Sequence, residues 1–154
     1  MAHPGSDFLV TAIHSEIVAR DAYIAIGYKI DVEGGKKVMK AMAAEEDEHR
    51  HLLAGRYKTL TGKDFIYNPD LKPGPDFSFI EKSTFGRTDA LEALRLALGA
   101  EEDAIRFYSG ELEKAADRSD VKMLNTLIRF ERGHKKKLEK EIKRLQTKNH
   151  WNLS

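Results

Sequence analysis

Apolar residues recur at helical spacing through almost the whole chain, and the period breaks at three places. Ser6 or Asp7 can cap a first helix that runs to about Ile30, where Gly34 and Gly35 break the pattern. A second helix runs from about Lys36 to Thr61 and is closed by Gly62, a glycine just past a helix end. Residues 63–87 lose the period and hold Pro69, Pro73 and Pro75 with Phe65, Tyr67, Phe77, Phe79 and Phe85. Asp89 with Glu92 resembles the capping box of a third helix reaching about Lys114. Ala116 to Asp120 is a polar turn, and a fourth helix runs from about Val121 to Thr147.

Two short-linked helix pairs and one long connection predict an all-α fold, a four-helix bundle of two antiparallel helical hairpins joined by a long crossover loop. The expected organisation is one domain over residues 1–154: hairpin 6–62, crossover 63–87, hairpin 88–147 and tail 148–154. A connection of about 25 residues has the length to carry the chain from one end of a bundle to the other. Its aromatic residues are expected to pin it to the bundle surface, in preference to a role as a substrate lid.

Shifting the sequence by 85 positions lays the second half on the first without a gap at the informative positions. Leu9 meets Leu94, Ala19 meets Ala104, Met42 meets Leu127 and Leu53 meets Leu138. Glu16 meets Glu101, Tyr23 meets Tyr108, Glu46 meets Glu131 and His49 meets His134. A common core explains the apolar matches. It does not explain why two glutamates and a histidine in each half keep one register. Thirty residues separate Glu16 from Glu46, and thirty separate Glu101 from Glu131. In antiparallel hairpins these pairs lie level, so all four glutamates fall near one cross-section of the bundle.

At about 100° per residue, the apolar neighbours of each glutamate fall within about 40° of it, and His49 and His134 fall about 60° away. Four carboxylates and two imidazoles therefore point into the apolar seam. Buried carboxylates without partners are costly, and Arg20 is the one basic candidate beside them. Two divalent cations offset the charge and use the oxygen lone pairs. Imidazole nitrogen with carboxylate oxygen suits iron, while manganese and zinc accept the same ligands. With 14 glutamates and six histidines, chance supplies about half a Glu-x-x-His match, and three occur. Glu46 with His49 and Glu131 with His134 face inward. Glu48 with His51 points outward and reads as a solvated face.

The stretches EIVARDAY, AEEDEHRHL, EEDAIRFY and RFERGHKKKL resemble the ferritin-like superfamily and, within it, the rubrerythrin-like diiron-carboxylate proteins. The resemblance implies that Glu16 and Glu101 are terminal ligands, that Glu46 and Glu131 bridge two metal ions, and that His49 and His134 bind one metal each. It implies that Tyr23 and Tyr108 hydrogen-bond ligating carboxylates across the bundle. Two departures stand out. The chain has no cysteine, so it lacks the rubredoxin domain that full rubrerythrins use as electron donor. Ala104 occupies the place of their additional glutamate. The implied function is redox chemistry of ferrous iron with oxygen or peroxide, as a ferroxidase or a peroxide reductase fed by an external electron donor. The alternative is a non-catalytic protein for iron binding, storage or sensing. Hydroxylation of an organic substrate ranks lower, because no substrate cavity is legible in a sequence.

Composition narrows the field further. Lys+Arg 26 against Asp+Glu 25 leaves a net charge of +1, which argues against a nucleic-acid partner. The absence of cysteine excludes disulfides, thiolate metal sites and thiol catalysis. No apolar run approaches the ~20 residues of a spanning helix, and residues 1–7 carry no secretion signal. The expectation is a cytoplasmic protein without a membrane partner, associating as a homodimer. His14 is expected at the surface. Glu45, on the flank of the seam, reads either as an outer carboxylate of the site or as solvated. Lys135 to Lys137 with Glu139 and Glu141 are expected to form an ion-paired outer face.

Overall fold

A computed structural model describes residues 6–30, 33–82 and 85–147. Its helices are α1 (Ser6–Lys29), α2 (Glu33–Thr61), α3 (Phe79–Lys82), α4 (Arg87–Lys114) and α5 (Arg118–Gln146), with no strand among the described residues. α1 packs along α2 and α4 along α5, with far fewer close backbone approaches between the two hairpins. The fold is a ferritin-like bundle of two helical hairpins. No helix among the described residues is long and apolar enough to cross a membrane.

The helix ends depart from expectation where local chemistry overrides the period. Gly34 and Gly35 lie in the first turn of α2, so they do not form the break. Asp89 lies inside the first turn of α4, whose N-cap is Gly86 with no side-chain cap, so the expected capping box is not formed. α5 starts three residues before Val121 because Asp117 caps it, accepting hydrogen bonds from the backbone N–H groups of Ser119 and Asp120. Gly62 does close α2, with a positive φ of 73° that favours glycine. The expected tail 148–154 lies outside the described residues.

Two apolar clusters fill the bundle. Leu9, Ile13, Leu53, Tyr108, Leu124 and Leu127 gather at one end. Tyr23, Ile26, Met39, Met42, Leu94 and Leu138 gather at the other. On each long helix the inward glutamate falls between residues of the first cluster and residues of the second. The carboxylates thus form one buried polar layer between two hydrophobic halves. α2 ends at the first cluster and α4 begins at the second, so the crossover segment travels the length of the bundle.

That segment does more than rest on the surface. Phe85 and Ile80 are buried within the second cluster, α3 supplying Ile80. Phe65 and Tyr67 pack on His14, with ring centroids 5.1 and 5.6 Å away. His14 is therefore not a surface residue: it is 1% exposed. Its Nδ1 lies 2.8 Å from the Val10 carbonyl, and the Asn68 N–H donates to its Nε2 at 3.1 Å. A helical wheel of α1 alone cannot show that another segment covers its outer face.

The outer face of α5 also differs in detail. Lys135 and Lys137 pair across helices, with Glu102 at 3.8 Å and Glu45 at 3.4 Å. Glu141 is 2% exposed and accepts from Arg144 at 3.1 Å, so it is not part of that outer face. It falls about 80° from Glu131 on the wheel, at the edge of the seam.

Candidate metal centre

Glu16, Glu46, Glu101, Glu131, His49 and His134 are all buried, and the bundle brings them together at mid-height. They form two overlapping groups whose donor atoms all lie within 4.8 Å of one another. One is Glu16, Glu46, His49 and Glu131; the other is Glu46, Glu101, Glu131 and His134. Glu46 and Glu131 belong to both, whereas Glu16 and Glu101 belong to one each. The geometry reproduces the 85-residue repeat in space.

Ordinary bonding does not satisfy this layer. His49 Nδ1 lies 3.1 Å from Glu131 Oε1 and 3.6 Å from Glu16 Oε2. His134 Nδ1 lies 2.5 Å from Glu46 Oε1 and 3.3 Å from Glu101 Oε1. Yet Glu16 Oε2, Glu46 Oε1, Glu101 Oε2, Glu131 Oε1 and both nitrogens of His49 have no hydrogen-bond partner. Of these four approaches, only that of His134 Nδ1 to Glu101 Oε1 has hydrogen-bond direction. Arg20 does not help, because it pairs with Asp47 and Asp21. Among the described residues, these four glutamates form ion pairs only with the two histidines.

Acidity follows from that crowding. Burial first, then the charges of the neighbouring carboxylates, holds Glu46 and Glu131 well above the usual carboxylate range. Burial also pushes Glu16 upward, but the adjacent Glu46 and His49 and the hydrogen bond from Tyr108 outweigh it and hold Glu16 low. His134 is raised, its contacts with Glu101 and Glu45 exceeding the opposing effect of burial. Orphaned buried oxygens and nitrogens converging from both hairpins, at carboxylate and imidazole positions only, fit hard or borderline divalent cations.

Around this layer the two expected tyrosines sit as paired supports. The Tyr23 hydroxyl donates to Glu101 Oε1 at 2.5 Å, and the Tyr108 hydroxyl donates to Glu16 Oε1 at 2.7 Å. Each crosses from one hairpin to the other. Glu45 is half-buried and takes the Nε2–H of His134, which resolves its open reading in favour of an outer carboxylate. His49 has no such partner; Phe130 packs edge-on against its ring at 5.0 Å. Phe130 is the sequence counterpart of Glu45 at the 85-residue offset, a difference that the repeat itself shows. His51 stays outside, two-thirds exposed and facing Asp47.

This architecture is that of a ferritin-like bundle with a buried carboxylate and histidine site suited to metal. The Rubrerythrin family profile matches residues 7–142, and the chain belongs to that family. A hypothetical protein from Pyrococcus furiosus has a similar structure, with 28% sequence identity and a TM-score of 0.83 over 92% of this chain and 90% of that one. CopM in its Cu(II)-bound form shares the fold, at 10% identity and a TM-score of 0.73 over 90% and 95%. No curated protein matches the sequence significantly.

Proposed function

We propose that the chain holds two metal ions, iron first among them, and carries out redox chemistry of ferrous iron with oxygen or peroxide. The observation that carries this reading is the pair of overlapping buried ligand groups sharing Glu46 and Glu131. In this reading Glu46 and Glu131 would serve both ions, and Glu16, Glu101, His49 and His134 would serve one ion each. Two ferrous ions held by these residues would be able to supply one electron each to a dioxygen or peroxide unit.

The chain's own groups prepare the site for that chemistry. Burial and adjacent carboxylates hold the Tyr23 and Tyr108 phenols well above their ordinary value, so both keep their protons and remain donors. Each hydroxyl fixes one carboxylate oxygen of Glu101 or Glu16 and leaves its other oxygen free to ligate. Glu45 keeps a proton on His134 Nε2, turning Nδ1 toward the carboxylate layer. The apolar clusters above and below exclude bulk water and strengthen each interaction within the layer. With no cysteine in the chain, the electrons that reset the site come from an external donor.

Stopped-flow absorbance after mixing the metal-free protein with ferrous iron and either oxygen or peroxide tests this reading. Oxidation that repeats when a reductant is supplied is expected. Retention of iron without accelerated oxidation would instead support storage or sensing.

The ligand assignment has its own test in metal stoichiometry. His49→Ala and His134→Ala are each expected to reduce tightly held metal from two ions to about one, by removing the imidazole of one group. His51→Ala is expected to leave stoichiometry unchanged. A loss confined to His51→Ala would reverse the assignment.

A further inference from the structure

A cavity of about 230 Å³ lies between α1 and α4, beneath the crossover segment. Glu16, Glu46, Glu101 and Glu131 line its inner end, whereas His49 and His134 do not, so it meets the carboxylate layer from the face opposite the imidazoles. Its walls are small and apolar. Ala19 and Ala104, equivalent positions of the repeat, contribute from α1 and α4, and Pro73, Pro75 and Phe77 contribute from the crossover. Exposed Thr11 and Asp103 also border it and mark its outer side.

Size and lining select an occupant. An apolar cavity of about 150 Å³ stays dry and binds benzene; this one is larger. A hydrated ferrous ion entering here would pass walls of alanine, proline and phenylalanine, with oxygen groups only at the carboxylate end and at Thr11, Ser15 and Asp103. An uncharged hydrocarbon loses nothing on entering and removes its own surface from water.

We propose that this cavity is a binding site for a small apolar organic molecule, about the size of a singly substituted benzene, placed against the carboxylate layer. The proposal deepens the metal reading by naming a class of molecule held beside the proposed ions. The binding itself stands on the cavity. Ala19 and Ala104 set its width, since a longer side chain at either position projects into the space.

The probe is 4-fluorotoluene, titrated into the full chain and followed by fluorine NMR, with zinc or cobalt(II) loaded into the protein. Saturable binding is expected with zinc, together with strong paramagnetic broadening of the bound signal with cobalt. Ala104→Leu and Ala19→Leu are expected to weaken binding at least tenfold at unchanged metal content. Absence of saturable binding would overturn the proposal, as would a bound signal indifferent to cobalt in protein shown to carry it. If a leucine variant does not fold, the cobalt effect on the unaltered chain still decides. If neither metal binds, the metal reading fails, and binding to the metal-free chain with its loss in the leucine variants decides the cavity separately.

Discussion

Glu46→Gln and Glu131→Gln are each expected to abolish paired-metal binding, weakening the second ion by about 100-fold or more. Glutamine keeps the shape of the side chain and removes its charge. Glu46 and Glu131 are the two carboxylates common to both ligand groups, so neutralising either one weakens both ions and the link between them. Glu16 and Glu101 belong to one group each. Their glutamine variants are expected to cost about tenfold for one ion, with Tyr108 or Tyr23 still placing the side chain. Iron titrations with matched oxidation rates on the four variants check this. Loss of the pair in the Glu16 and Glu101 variants, with retention in the other two, would exchange the roles.

Stability is expected to respond to metal more strongly as pH rises. In the metal-free chain Glu46 and Glu131 hold protons well above the ordinary carboxylate value of 4.5. The folded state then binds more protons than the unfolded state, so their contribution is fully present below about pH 4.5 and is lost as pH rises through their folded values. Glu16, held low, runs the other way and offsets part of this. Metal binding requires the carboxylates to be ionised, so loading tightens as pH rises. The melting-temperature gap between zinc-loaded and metal-free protein should therefore widen from about pH 5 to about pH 8. Two sites at free metal of about 100 Kd add roughly 5 kcal/mol, or about 10–20 °C for a chain of this size. Equal melting temperatures at about pH 8, or a gap that narrows with pH, would contradict a buried four-carboxylate site.

The inward register of the six charged and imidazole residues was legible in the sequence because it repeats. Glu16, Glu46 and His49 reappear 85 residues on, and helical geometry then fixes the face they share. Cross-bundle pairings such as Tyr23 with Glu101 were legible only through family resemblance, since no period links residues 78 apart. His14, Phe85 and the cavity were not legible. Each depends on where the aperiodic crossover lies, and turn-rich chain carries no regular signal of its path. Helix starts failed for a local reason: Asp89 resembles a cap but lies inside α4, whereas Asp117, within the expected polar turn, occupies the N-cap of α5. Glu141 was misjudged because alternating charges suggest a solvated face, whereas its angle at the seam edge governs burial.

One difference between the two halves lies directly behind the histidines. Behind His134 stands the anion of Glu45; behind His49, at the equivalent place, stands the hydrocarbon edge of Phe130. An imidazole whose outer N–H is held by a carboxylate is the more basic and better-oriented donor. For the proposed pair of ions, duplication thus yields a resident and a guest. The ion beside His134 is expected to bind first and leave last, and the one beside His49 to exchange more readily, which stepwise metal titration of the His49→Ala and His134→Ala variants checks. The divergence of Glu45 from Phe130 would give a near-symmetric chamber an order of occupancy.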